Sequence, residues 1–164
     1  DGGQDRFPLL QGRAVTGFFA REAVITYGPR RRPRGSTMAS SADVVPFVRE
    51  LIGDRTVEHF VAIAIDARSR PTAWTTIAIG SLVACPVAPI DVLRFGILAC
   101  APSLIVCHNH PSGDPTPSAQ DIDLTTRLFD AMRLVGLRLL DSIIVAEDGH
   151  VSFCDAGLLP GSRR

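Results

Sequence analysis

The stretch SLIVCHNHPSGDPTPSAQD, from Ser103 to Asp121, constrains this chain more than any other. Leu104, Ile105, Val106 and Cys107 form an almost unbroken apolar run, short and rich in branched side chains. That is the pattern of a β-strand covered on both faces, not of a surface strand with one polar side. Such a strand needs helices above and below its sheet, which places the chain among α/β folds. His108 and His110 follow at once. A turn stiffened by Pro111, Pro115 and Pro117 comes next, with Gly113 as its permissive backbone position. Ser118 and Asp121 then open a helix.

The remaining segments fit around that strand. REAVITY, 21–27, is strand-like. SADVVPFVRELIG predicts a helix capped by Ser40 or Ser41, with Val44, Val45, Val48, Leu51 and Ile52 on its apolar face and Gly53 as its stop. Pro46 falls in its first turns, where the missing amide is tolerable. VEHFVAIAIDA and AWTTIAIGSLV read as strands joined by a hairpin connection at ARSRP. PIDVLRFGILACA reads as a helix opened by Pro89. Ile122, Leu124, Leu128, Met132 and Val135 recur at helical spacing, and Gly136 ends that helix. RLLDSIIVAEDGHVSF predicts two strands about an Asp-Gly turn at Asp148 and Gly149.

This order predicts one α/β domain of three layers, a mixed β-sheet flanked by helices on both faces. A chain of 164 residues, 46% of them hydrophobic, suffices for one well-cored domain. We divide it into an N-terminal extension, 1–37, with a short strand and a basic loop; the domain proper, 38–155; and a C-terminal tail, 156–164.

Seventeen basic and seventeen acidic residues cancel, so no global field recruits nucleic acid or an anionic membrane. The local run Arg30, Arg31, Arg32 and Arg34 reads as a solvated loop, with phosphate contact as the alternative. No apolar run reaches the length of a membrane span and no leader precedes a cleavage site, so a cytoplasmic location without membrane partners is expected. Cys85, Cys100, Cys107 and Cys154 match no zinc-finger or redox spacing and read as buried free thiols. Cys107 is left out of any site with His108, because neighbours on a strand point to opposite faces. No glycine-rich dinucleotide fingerprint or P-loop is present.

Two histidines at i and i+2 at a strand end project to one side if the backbone stays extended, and Pro111 biases His110 toward that conformation. Asp121 is the natural third ligand, aimed back from the first turn of a helix. Two imidazoles and one carboxylate suit zinc with a fourth position left for water. A plain reading of Asp121 stands beside this one. Ser118 and Asp121 also form a helix-capping box, and an acidic residue in a first helical turn needs no metal. Glu58, at the rim of the apolar EHFVAIAI segment, is the candidate general base, or else an ordinary strand-edge charge.

Glu58, His108-x-His110, seven residues, then Ser118-x-x-Asp121 together resemble the JAMM signature of MPN-domain metalloproteases. HNHPSGDPTPSAQD, with Glu58-His59-Phe60 upstream and GLRLLDSIIV downstream, is similar to the RadC-like branch of that superfamily, over roughly Ser41 to Phe153. The resemblance implies a cytidine-deaminase-like (JAB/MPN) fold, with zinc held by His108, His110 and Asp121. It further implies Glu58 as general acid/base and Ser118 as an oxyanion stabiliser. The implied substrate is a peptide or isopeptide, with ubiquitin-like modifiers among the candidates. The branch also carries a DNA-repair label, and some MPN domains are non-catalytic scaffolds; both stand as alternatives. Pro89-Ile90-Asp91 and Ser142 depart from the branch pattern, and no helix-hairpin-helix segment precedes the domain in this chain.

Overall fold

The computed structural model describes residues 37–80 and 87–161. The strand expected at 21–27, the arginine run and Cys85 lie outside them. The described elements are α1 (Ser41–Ile52), β1 (His59–Ile65), β2 (Pro71–Ile79), α2 (Pro89–Leu98), β3 (Ser103–Asn109), α3 (Ala119–Leu134), β4 (Arg138–Ala146) and β5 (Gly149–Ser152).

β3 lies at the centre of a five-stranded sheet of order β2-β1-β3-β4-β5. It runs antiparallel to β1 and parallel to β4, and the outer pairs are antiparallel. Alternation along the strands divides the core in two. Val61, Ile63, Ile65, Ile105 and Cys107 meet Val44, Val45, Val48 and Ile52 of α1. Phe60, Ala62, Ala64, Leu104 and Val106 meet Val92 of α2 and Leu128 and Met132 of α3. Each fully buried Leu, Ile or Val contributes about 1.5–3 kcal/mol. The sheet is therefore covered on both sides, as the apolar run in β3 requires.

Local chemistry sets the helix ends. Ser40 is the N-cap of α1, and Ser40 and Asp43 form a reciprocal capping box. Pro46 lies in the second turn with its ring exposed, and the helix continues through it. Pro89 occupies the first turn of α2. Gly96 lets α2 approach closely: a Cβ there would lie 3.0 Å from Leu137 Cδ1 and 3.1 Å from Leu104 Cδ1. At the end of α3, Leu137 N–H donates to Met132 O at 2.9 Å and Gly136 N–H to Arg133 O at 3.3 Å, with Gly136 at φ 76°. That is a Schellman closure, and the left-handed residue in it is best served by glycine.

Four expectations are corrected. β3 runs two residues further than its apolar run and takes in His108 and Asn109. Ile122 and Val135 are exposed, whereas Thr125 is buried; the inward stripe of α3 starts with polar residues, which hydrophobic spacing does not register. The β4–β5 loop is Glu147–Asp148, and Gly149 already pairs with Ala146 at the start of β5. Cys107 is buried and free, but Cys100 and Cys154 are exposed because each sits in a turn beyond the end of its element. Among the described residues no helix is long and apolar enough to cross a membrane.

Candidate metal centre

His108 is the sixth residue of β3, paired with Phe60 on one side and Ile144 on the other. The ring is buried and stacks on Phe60 with centroids 5.8 Å apart and planes 13° from parallel. His110 lies just past the strand, but its N–H still donates to Val145 O at 2.9 Å, so the backbone stays extended through both histidines. The rings therefore share one face, and their Nε2 atoms are 3.0 Å apart.

The proline-bearing loop brings α3 back over that face. Asp148 N–H donates to Gly113 O at 3.0 Å, which ties the loop to the β4–β5 turn, and Thr116 N–H donates to Asp114 Oδ1 at 2.8 Å. Ser118 then caps α3. Asp121, three residues on, presents its two oxygens to different partners. Oδ1 lies 3.1 Å from His108 Nε2. Oδ2 accepts from Ser118 N–H at 2.7 Å and from Ser118 Oγ at 2.6 Å, and lies 3.5 Å from His110 Nε2. The capping box and the ligand set thus coexist on one carboxylate.

His108, His110 and Asp121 each offer one ligand atom within 4.8 Å of the others, so the set can hold a metal ion. Its geometry suits a small tetrahedral ion. Bonds of about 2.0–2.1 Å place neighbouring ligand atoms about 3.3 Å apart; here the two imidazole nitrogens are 3.0 Å apart, and each has its own Asp121 oxygen nearby, Oδ1 at 3.1 Å from His108 and Oδ2 at 3.5 Å from His110. The tautomers agree as well. His110 Nδ1 lies 2.9 Å from Asp114 O, which can only accept, so Nδ1 carries the hydrogen of the neutral ring and Nε2 is the nitrogen that can lose its proton to a metal. His108 Nδ1 is, among the described residues, the one buried side-chain nitrogen or oxygen without a hydrogen-bond partner. All polar contacts of that ring are made by Nε2, inside the cluster.

Electrostatics bind the group together. Burial pushes the Asp121 carboxyl upward, but hydrogen bonds from His108, His110 and Ser118 outweigh it and hold the group far below the ordinary carboxylate range. The Asp121 hydrogen bond raises His110 above the usual imidazole value against the opposing effect of burial. The Asp114 carbonyl and the negative charges of Asp121 and Glu58 add to that rise. Glu58 is thus one of the negative charges near His110. It is half-buried, two residues before Phe60, and continuing the Phe60–His108 register brings it level with His110.

His108, His110, Asp121 and Ser118 are thus brought together, and the strand register sets Glu58 level with His110. Ser142, by contrast, lies under α3, where its Oγ accepts from Thr125 Oγ1 at 3.1 Å, and Ile90 is exposed. Asn109, passed over between the two histidines, is buried, and its side chain is fully hydrogen-bonded to the segment that carries Glu58. The available signal was a polar residue on a strand otherwise bound for the core.

A mixed sheet with a His-x-His strand end and a helix-borne aspartate is the arrangement of a JAB-type domain. The RadC-like JAB domain matches residues 38–158, and the chain belongs to that family, within the JAMM superfamily. It is 38% identical over 125 residues to a UPF0758 protein of Syntrophotalea carbinolica, covering 76% of this chain and 55% of that one. UPF0758 proteins of Geotalea uraniireducens (35% over 140 residues; 85% and 61%) and Geobacillus thermodenitrificans (41% over 115 residues; 70% and 51%) are similar too. The chain spans between half and two thirds of the length of these curated relatives.

Proposed function

We propose that this domain is a zinc-dependent metallohydrolase of the JAMM type that cleaves a peptide or isopeptide bond. The observation that supports it is the convergence of the His108, His110 and Asp121 ligand atoms beside a carboxylate, Glu58, that is itself no part of that set. His108, His110 and Asp121 would hold Zn²⁺. When bound, the ion lowers the pKa of water and polarises a carbonyl.

The chain's own groups would do the rest. Glu58 would take the proton from the attacking water and deliver it to the departing amine, so that acid and base work are one group's task. Ser118 Oγ, now donating to Asp121 Oδ2, would turn its hydrogen toward the carbonyl oxygen as negative charge develops there. Ser118 N–H would keep its bond to Oδ2 throughout and hold the carboxylate in place. Phe60, stacked on His108, keeps that ring from rotating away. A cytoplasmic setting accords with this reading.

The test is a pair of measurements on the same protein. Zinc titration into chelator-stripped protein is expected to saturate at one ion per chain. Glu58→Gln is expected to keep that stoichiometry while abolishing cleavage of labelled peptide and isopeptide panels. A zinc-loaded wild type inert on every panel would overturn the assignment as a hydrolase.

A further inference from the structure

The segment between α1 and β1 carries Glu58 and has few ties of its own: Arg55 N–H donates to Ile52 O at 3.3 Å, and Gly80 N–H donates to Glu58 O at 2.8 Å. Its strongest attachment comes from the strand that carries the histidines. Asn109 lies between His108 and His110, and strand alternation turns its side chain to the opposite face, beneath the segment. His59 N–H donates to Asn109 Oδ1 at 2.7 Å. Asn109 Nδ2 donates to Arg55 O and to Val57 O, each at 3.2 Å. These partners lie on both sides of Glu58 in the chain.

We propose that Asn109 is a positioning residue for Glu58, fixing its distance from the ligands carried by the same strand. The inference rests on the reading of Glu58 as the proton-transfer group. Only a side chain with one acceptor and two donors in a plane satisfies all three backbone groups at once. Aspartate keeps the acceptor and sets a negative charge against two carbonyl oxygens. Alanine takes the partner from His59 N–H and Arg55 O and leaves Val57 O with His59 Nδ1 alone. Because His108 is held by the ladder with β1 and β4, and His110 by its N–H bond to Val145 O, loss of Asn109 is expected to leave the ligand set in place and to move Glu58.

The experiment uses the whole chain loaded with Co²⁺, whose visible absorption reports the metal's surroundings, titrated with pH. Wild type, Glu58→Gln, Asn109→Ala and the double variant are compared, with zinc affinity measured by chelator competition. Asn109→Ala is expected to shift the absorption midpoint in the same direction as Glu58→Gln, by about half a pH unit or more. The double variant is expected to match Glu58→Gln alone, since a residue acting through Glu58 has nothing left to move. Zinc affinity is expected to change by less than about threefold, against the roughly 10- to 100-fold loss that follows removal of a hydrogen bond supporting a ligand.

A shift in Asn109→Ala that adds fully to that of Glu58→Gln, or no shift, overturns the inference alone. No shift in Glu58→Gln overturns the reading of Glu58 and the inference with it. Should Asn109→Ala fail to fold, Asn109→Asp, which retains the His59 bond, carries the same comparison.

Discussion

Zinc should stabilise this fold, by an amount that can be worked out in advance. The two imidazole nitrogens already stand 3.0 Å apart and each has an Asp121 oxygen within 3.5 Å, so binding requires no rearrangement of the sheet. A ligand that binds only the folded chain, at a free concentration about 100-fold above its Kd, adds about 2.7 kcal/mol. Unfolding a domain the size of the matched region, 38–158, carries an entropy of about 0.25 kcal/mol per kelvin. The midpoint should therefore rise by about 11 °C in scanning calorimetry as buffered zinc is added to stripped protein. Asp121→Asn keeps the size of the side chain and removes the anionic ligand, so its rise should shrink to about a quarter or less. Protons compete for the same site. His110 is raised in the metal-free protein, mainly by Asp121, so its contribution to metal-free stability is complete below the unfolded imidazole value and fades as pH climbs through the folded one. Zinc must displace that proton, so the rise in midpoint should diminish as pH falls through the folded value. An equal rise in Asp121→Asn, or none in the wild type, would refute the ligand assignment.

Three other perturbations probe the frame. Ser118→Ala removes both the cap of α3 and a hydrogen bond to Asp121 Oδ2; it should cost about 1 kcal/mol in denaturant melts without metal and weaken zinc binding about tenfold or more by chelator competition. Gly96→Val pushes side-chain carbon into Leu137 and Leu104 at contacts already 3.0–3.1 Å for a Cβ, so urea melts should show a loss of about 1–3 kcal/mol. Asp141 is buried; burial raises its pKa and outweighs the hydrogen bonds from Ser152, Cys154 and Ser142. Its stabilising share is whole below the unfolded value of 3.8 and is lost as pH rises through the folded one. Asp141→Asn should therefore gain stability relative to wild type as pH is raised from about 4 to about 7 in parallel melts; a constant difference would contradict this.

What the sequence made legible was whatever short-range spacing encodes. The apolar run of β3, the His-x-His pair, the prolines after it and the Ser118–Asp121 box all follow from neighbours within a few residues, and all eight described elements were anticipated in order. Contacts across the sheet were not legible in the same way. Nothing local shows that Asn109 reaches Arg55 and Val57, because that depends on β1 lying beside β3 in one particular register. The same holds for α3. Asp121 and Thr125 face inward because they meet His108 and Ser142, and a search for apolar spacing assigned their place to Ile122 and Val135. Glu58 was nominated by its odd position, but its place level with His110 came only with the register.

The two halves of the site differ in how easily they come undone. His108 sits on a strand paired along both edges, so its amide is released for hydrogen exchange only when the sheet itself comes apart. Asp121 is held at the exposed start of a helix, by bonds to a serine that water reaches freely. A single helical turn can unwind there while β3 stays shut. Opening of the site is then a local event, faster and cheaper than unfolding. Fraying of that one turn would then limit how long anything stays between strand and helix, and the two residues between Ser118 and Asp121, Ala119 and Gln120, are exposed and free to be rewritten.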